Sequence, residues 1–173
     1  FLHILFFLFY NCLKHILHCL ITIFASKSYF EILNFLRKEL DNIGDFTLKE
    51  VEASQIDDLR EAMTLNEIEL MGFVDVIKDS EPDRVTVDLP EPDGDRFIRK
   101  MKSELPEKFQ DIEFVAEHGA DDEYPEVSAA SIVAKSARED HVEALKQKYG
   151  YDFGSGYPHD EPTIEFLETF MEE

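Results

Sequence analysis

Tyr124-Pro-Glu-Val-Ser-Ala-Ala-Ser-Ile-Val-Ala-Lys135 opens a helix that runs on to Lys148, and a glycine loop follows it, Phe153-Gly-Ser-Gly-Tyr-Pro-His-Asp160. At roughly 100° per residue, Ser128, Ser131, Lys135 and Arg138 fall within an arc of about 80°. The remaining surface of those turns is Ala, Val and Ile, which pack. A single stripe of hydroxyls and cations, preceded by Asp121-Asp122, suits a metal ion and a phosphate side by side. A solvated face would show the same Lys135 and Arg138, and tight helix packing would show the same Ala/Ser pattern.

Outward from this helix, strand and helix signals alternate. Ile32, Leu33, Leu36 and Leu40 form a helical stripe, and Phe46 to Val51 alternates as a strand does. Met63 to Ile77 is apolar at helical spacing, with Thr64 placed to cap it. Arg84 to Asp88 is a short strand ending on an acid, and Asp93-Gly-Asp95 starts another helix. Ile112 to Glu117 is a second buried strand followed closely by acids. Helices over Glu126–Lys148 and Glu161–Glu172 finish the chain. This alternation predicts an α/β fold, a sheet flanked by helices.

The length of 173 residues suits one domain with a substantial core. Net charge is −21, and residues 1–30 contain no Asp or Glu, so all 38 acids lie in 31–173. Such density suits a salt-rich cytoplasm, where screening suppresses self-repulsion; an ordinary acidic protein is the alternative. The balance excludes a broad basic footprint for nucleic acid, so any polyanion must be held by local cations and metal. Cys12 and Cys19 are the only cysteines and form no disulfide framework. With His15 they share one face if helical, a zinc arrangement that three incidental residues would also give.

Phe1 to Phe24 is a Phe/Leu/Ile run of different character. Its length suits a membrane helix, while a signal peptide would need a basic start and a better cleavage pattern. The third reading is that residues 1–30 are no part of the domain, as in a truncated or wrong-frame gene product, leaving 31–173 as the domain.

Asp88 and Asp121 each follow the carboxyl end of a predicted strand, where open α/β sheets place their ligand sites. Such carboxylates suit hard cations, Mg2+ or Mn2+, which activate water and stabilise the departing oxygen in phosphodiester hydrolysis. A strand-end Asp is also an ordinary turn residue. Asp122 and Glu123 read as solvated surface, and His118 as a proton shuttle or a structural histidine. Gly154 and Gly156 allow backbone to approach a ligand closely, and Tyr157 beside them can sense a ribose 2′-OH. A plain helix-to-helix loop would look the same.

Ala116-Glu-His-Gly-Ala-Asp121-Asp-Glu-Tyr124, Val127 to Lys135, and Lys148-Tyr-Gly-Tyr-Asp-Phe-Gly-Ser-Gly-Tyr-Pro158 together resemble the ribonuclease HII family, especially its archaeal members. Weaker matches are Val87-Asp88, Met63-Thr-Leu-Asn-Glu67, Ile56-Asp57 and Ser26-Lys27. The resemblance covers about residues 45–173. It implies an RNase H-like fold, a mixed sheet flanked by helices with a helical C-terminal part, here without its first strands. It also implies endonucleolytic cutting of RNA in RNA–DNA hybrids, or of DNA with embedded ribonucleotides, by a monomer without membrane attachment. Of four metal-binding carboxylates in the family, Asp88 matches the third and Asp121 the fourth. Tyr157 matches the ribose-reading tyrosine, and Ser128, Ser131 and Lys135 match a helix near the substrate backbone. The family's N-terminal Asp-Glu-Ala-Gly-Arg-Gly-like motif has no counterpart, His159 stands where serine is usual, and the chain stops short of the usual tail. With two of four metal ligands gone, this chain is expected to be inactive or nearly so. The competing expectations are a non-catalytic nucleic-acid-binding module and a membrane-anchored acidic interaction domain.

Overall fold

A computed structural model describes residues 2–6, 29–89, 92–157 and 159–171. In chain order the elements are β1 (Leu2–Phe6), α1 (Tyr29–Ile43), β2 (Thr47–Val51), α2 (Ala53–Arg60), α3 (Leu65–Ser80), β3 (Arg84–Asp88), α4 (Gly94–Glu104), a 3-10 turn (Glu107–Phe109), β4 (Glu113–Glu117), α5 (Ala120–Glu123), α6 (Pro125–Tyr149) and α7 (Glu161–Met171). Among the described residues the strands form two ladders. β1 pairs antiparallel with β2, Leu2 opposite Val51, and β3 pairs parallel with β4, Asp88 opposite Glu117.

Local chemistry explains the element starts. Thr64 and Glu67 form a reciprocal capping box, Glu67 N–H donating to Thr64 Oγ1 at 3.3 Å and Thr64 N–H to Glu67 Oε2 at 2.7 Å. Asp93 Oδ1 accepts from Arg96 N at 2.9 Å and starts α4. Pro125 opens α6, where its missing N–H costs nothing, and Gly150 closes it in the left-handed conformation, φ +67°.

The main core lies between α3, β3 and α4. Val74 and Ile77, Val85 and Val87, and Phe97 and Met101 are its buried centre, with Phe109 from the 3-10 turn closing one side. Val85, Thr86 and Val87 are all buried, as a parallel strand covered on both faces requires. A second cluster joins Leu40 of α1 to Ala129, Ala130 and Val133 of α6. The small residues of α6 are therefore a packing face, as their pattern predicts. α6 contacts both β1 and β3 and so ties the two ladders to one helix.

Three elements were not foreseen. α2 is capped by Glu52 and Gln55 but buries no residue, so it carries no amphipathic signal. The 3-10 turn and α5 are each too short to show a period. A fourth is at the N-terminus: β1 takes Leu2–Phe6 onto β2 and against α3 and α6, a position not anticipated when residues 1–30 are read as separate. The Cys12, His15 and Cys19 arrangement and most of the Phe1–Phe24 run lie outside the described residues. Among the described residues, no helix is long and apolar enough to cross a membrane.

Candidate active site

Asp88 is the last residue of β3, and its carboxylate reaches across to the turn after β4. Asp88 Oδ1 accepts from Gly119 N at 2.9 Å and lies 3.4 Å from Ala120 N. Gly119 adopts φ +68° at the head of α5, a conformation glycine takes without strain. Asp88 thus fastens the backbone immediately before Asp121, although the two aspartates are far apart in sequence. Asp121 is half-buried in α5, while Asp122, Glu123 and His118 are exposed. Tyr124 joins α5 to α6; loss of water, then the Glu117 carboxylate, push its phenol above the ordinary range.

The stripe on α6 divides by depth. Ser128 and Ser131 are half-buried, Lys135 is exposed, and Arg138 is only 8% exposed. Sequence leaves Arg138 open between a ligand-facing cation and a solvated one, and the structure makes it neither. Its Nη2 donates to Ser155 O at 2.7 Å, its Nη1 to Glu139 Oε1 at 2.9 Å, and its guanidinium lies 3.9 Å from the centre of the Tyr157 ring.

The loop from Gly154 to Tyr157 is built from several sides. Asp160 Oδ2 accepts from Ser155 N at 2.7 Å, Gly156 N donates to Thr163 Oγ1 at 2.9 Å, and Gly154 N donates to Asp152 Oδ1 at 3.0 Å. Gly154 has φ +73°, and a Cβ there would overlap Asp160 Oδ2. The Ser155 N–H first, and the Thr163 hydroxyl second, hold the Asp160 carboxyl below the usual range. Tyr157 itself is exposed, with the His159 ring stacked 5.6 Å away at 21°. Asp160 and Thr163 were missed as loop-forming residues; an aspartate directly before a helix was the available signal.

The structure brings Asp88 to the Asp121 turn, and Gly154, Gly156 and Tyr157 to Arg138. Ser128, Ser131 and Lys135 lie along α6 between the two groups. A cleft of about 670 Å3 between α1, β2 and α6 involves none of these residues; Arg37, Glu50 and Ser136 are among those lining it.

Hard cations such as Mg2+ bind through one or two carboxylates plus water and substrate phosphate. Asp88 and Asp121 fit that donor chemistry. Among the described residues there is no group of three or more His, Cys, Asp or Glu able to enclose a metal, so a complete protein cage is not formed by them.

This is the architecture of an α/β domain with carboxylates at its strand ends and a glycine loop beside a long helix. The Ribonuclease HII family profile matches residues 28–173. Ribonuclease HII of Methanosarcina barkeri is 46% identical over 136 residues, covering 76% of this chain and 59% of that protein. The homologue from Methanococcoides burtonii is 40% identical over 127 residues, covering 72% and 60% respectively. Among solved structures, the PCNA:RNase HII complex from Archaeoglobus fulgidus matches with a TM-score of 0.78 at 33% identity, covering 92% of this chain and 75% of that one. Ribonuclease H2 from Pyrococcus horikoshii matches with a TM-score of 0.74 at the same identity and coverage. The chain belongs to the ribonuclease HII family. It spans about 59% of the length of the Methanosarcina barkeri relative.

Proposed function

We infer that the protein is an endonuclease of RNA–DNA hybrids, and of DNA carrying embedded ribonucleotides. The unit responsible is residues 31–173, acting as a monomer in the cytoplasm. The observation that carries this reading is the bond from Gly119 N to Asp88 Oδ1, which fastens one strand-end carboxylate to the turn bearing the other.

Asp88 and Asp121 would hold Mn2+ or Mg2+, and the bound ion would supply an activated water and charge for the departing oxygen. The remaining work falls to the chain. Along α6, Ser128 to Lys135 spans about 10 Å at ~1.5 Å per residue. One duplex strand rises ~3.4 Å per nucleotide, so the stripe matches roughly three nucleotides of backbone. Ser128 and Ser131 offer hydroxyl donors to phosphate oxygens along this path, and Lys135 offers a charge. At its far end Tyr157, on backbone that Gly154 and Gly156 bring close, meets a ribose whose 2′-OH marks RNA.

The lack of a third ligating group among the described residues favours a second reading, binding with little turnover. One experiment addresses both. A labelled DNA duplex with a single embedded ribonucleotide is titrated with the 173-residue chain in Mn2+, against an all-DNA duplex. Expected are preferential binding to the ribonucleotide-containing duplex and cleavage that is absent or slight. Equal affinity for the two duplexes overturns the proposed substrate, and robust cleavage overturns the expectation of low activity.

A further inference from the structure

Arg138 does not sit where a substrate-binding cation would. It is nearly buried in a chain of net charge −21. A buried guanidinium is costly unless its donors are satisfied. Glu139 takes one donor, and the other contacts go to the glycine loop: Nη2 to Ser155 O, and the guanidinium plane over Tyr157. Gly156 beside Nη2 sits at φ +74°, a backbone that favours glycine. Ser155 is therefore held at both ends of its peptide, its N–H by Asp160 and its carbonyl by Arg138.

We propose that Arg138 is a positioning residue for ribonucleotide recognition: it fixes Tyr157 and the Ser155 carbonyl as one unit on α6, so that the ring meets the ribose in a set place. This rests on the assignment of Tyr157 as the ribose-sensing residue. A purely structural Arg138 would close the joint between helix and loop but leave the choice between ribose and deoxyribose unchanged. The planar fork is the feature at stake, because lysine keeps the charge and can donate, yet cannot lie flat on the ring while holding donors in the guanidinium's fixed fork.

The test has two arms on the 173-residue chain. In the first, affinities for the ribonucleotide-containing and all-DNA duplexes are measured for wild type, R138K, Y157A and the double variant, with thermal melting run alongside. The expected result is that R138K lowers the ribonucleotide preference about tenfold, a change of ~1.4 kcal/mol, and has no further effect in the Y157A background. An undiminished preference in R138K overturns the proposal. The second arm needs no nucleic acid. The chain has no tryptophan, so Y157W supplies a lone indole whose acrylamide quenching reports how firmly the position is held. R138K is expected to raise that quenching, and unchanged quenching overturns the proposal. If wild type shows no ribonucleotide preference, the Tyr157 assignment fails, while the quenching arm still decides whether Arg138 fixes position 157.

Discussion

The side chain of Asp160 accepts a hydrogen bond from the backbone N–H of Ser155 at 2.7 Å, and the Thr163 hydroxyl lies 2.9 Å from the same oxygen. Both contacts favour the ionised carboxylate, with the Ser155 contribution the larger, so its folded pKa is depressed. The sign follows from linkage: the stability it contributes is full above the unfolded value of about 3.9 and is lost as pH falls through the lower folded value. The stability gap between wild type and D160N, measured by urea unfolding, should narrow as pH drops below about 4. A gap that stays constant into acid would show that Asp160 is not engaged this way.

Thr163 is 6% exposed and its Oγ1 serves three partners. It accepts from Gly156 N at 2.9 Å, while its one proton is shared between Phe153 O at 2.8 Å and Asp160 Oδ2. T163V keeps the shape but strands the Gly156 N–H and a carbonyl. The expected loss is about 1–3 kcal/mol, with T163S recovering most of it. Melting temperatures of the two variants check this, and equal values would refute it.

Gly150 and Gly154 share a left-handed backbone but differ in surroundings. A Cβ on Gly150 meets nothing within 4 Å, whereas one on Gly154 meets Asp160 and Pro162. G150A should cost only the conformational term, about 1–2 kcal/mol. G154A should cost clearly more and should disturb the position of Tyr157. Similar losses for the two would mean the loop relaxes freely.

Asp88 has a structural duty besides any metal. D88A removes the acceptor for Gly119 N–H, an exposed bond worth about 0.5–1.5 kcal/mol. D88N keeps an acceptor and should retain more stability, yet both should lose Mn2+ binding as measured by calorimetry. Undiminished Mn2+ affinity in D88N would remove Asp88 from the metal site.

A net charge of −21 predicts a response to salt. Between about 0.1 M and about 1 M salt the screening length falls from ~10 Å to ~3 Å. Self-repulsion weakens accordingly, so the melting temperature should rise over that range. A fall would indicate that paired charges, not repulsion, dominate.

Much of this fold could be read from local chemistry. Thr64 with Glu67 and Asp93 announce helix starts, and β3 and β4 stand out as short apolar runs ending in acids. What could not be read is how strands meet. The pairing of Leu2–Phe6 with Thr47–Val51 joins residues over forty positions apart, and no local pattern encodes it. At the site, Asp88, Asp121 and Tyr157 stand out by their place after short strands and beside a glycine pair, although a strand-end Asp is also an ordinary turn residue. Arg138 was ambiguous because a cation on a helix usually faces water, and only packing reveals its burial. Asp160 carries one local sign, an aspartate directly before a helix, but its bond to Ser155 N and the Thr163 bond to Gly156 N are contacts that no spacing encodes.

The division into two short ladders carries a liability beyond enzymology. Among the described residues each ribbon has two strands, a shape whose main-chain rims can accept a strand from a neighbour, and the shared negative charge of every molecule opposes such stacking. Near the isoelectric point of about 4.5 that opposition vanishes, and the protein should then precipitate as associated strands well before its helices melt.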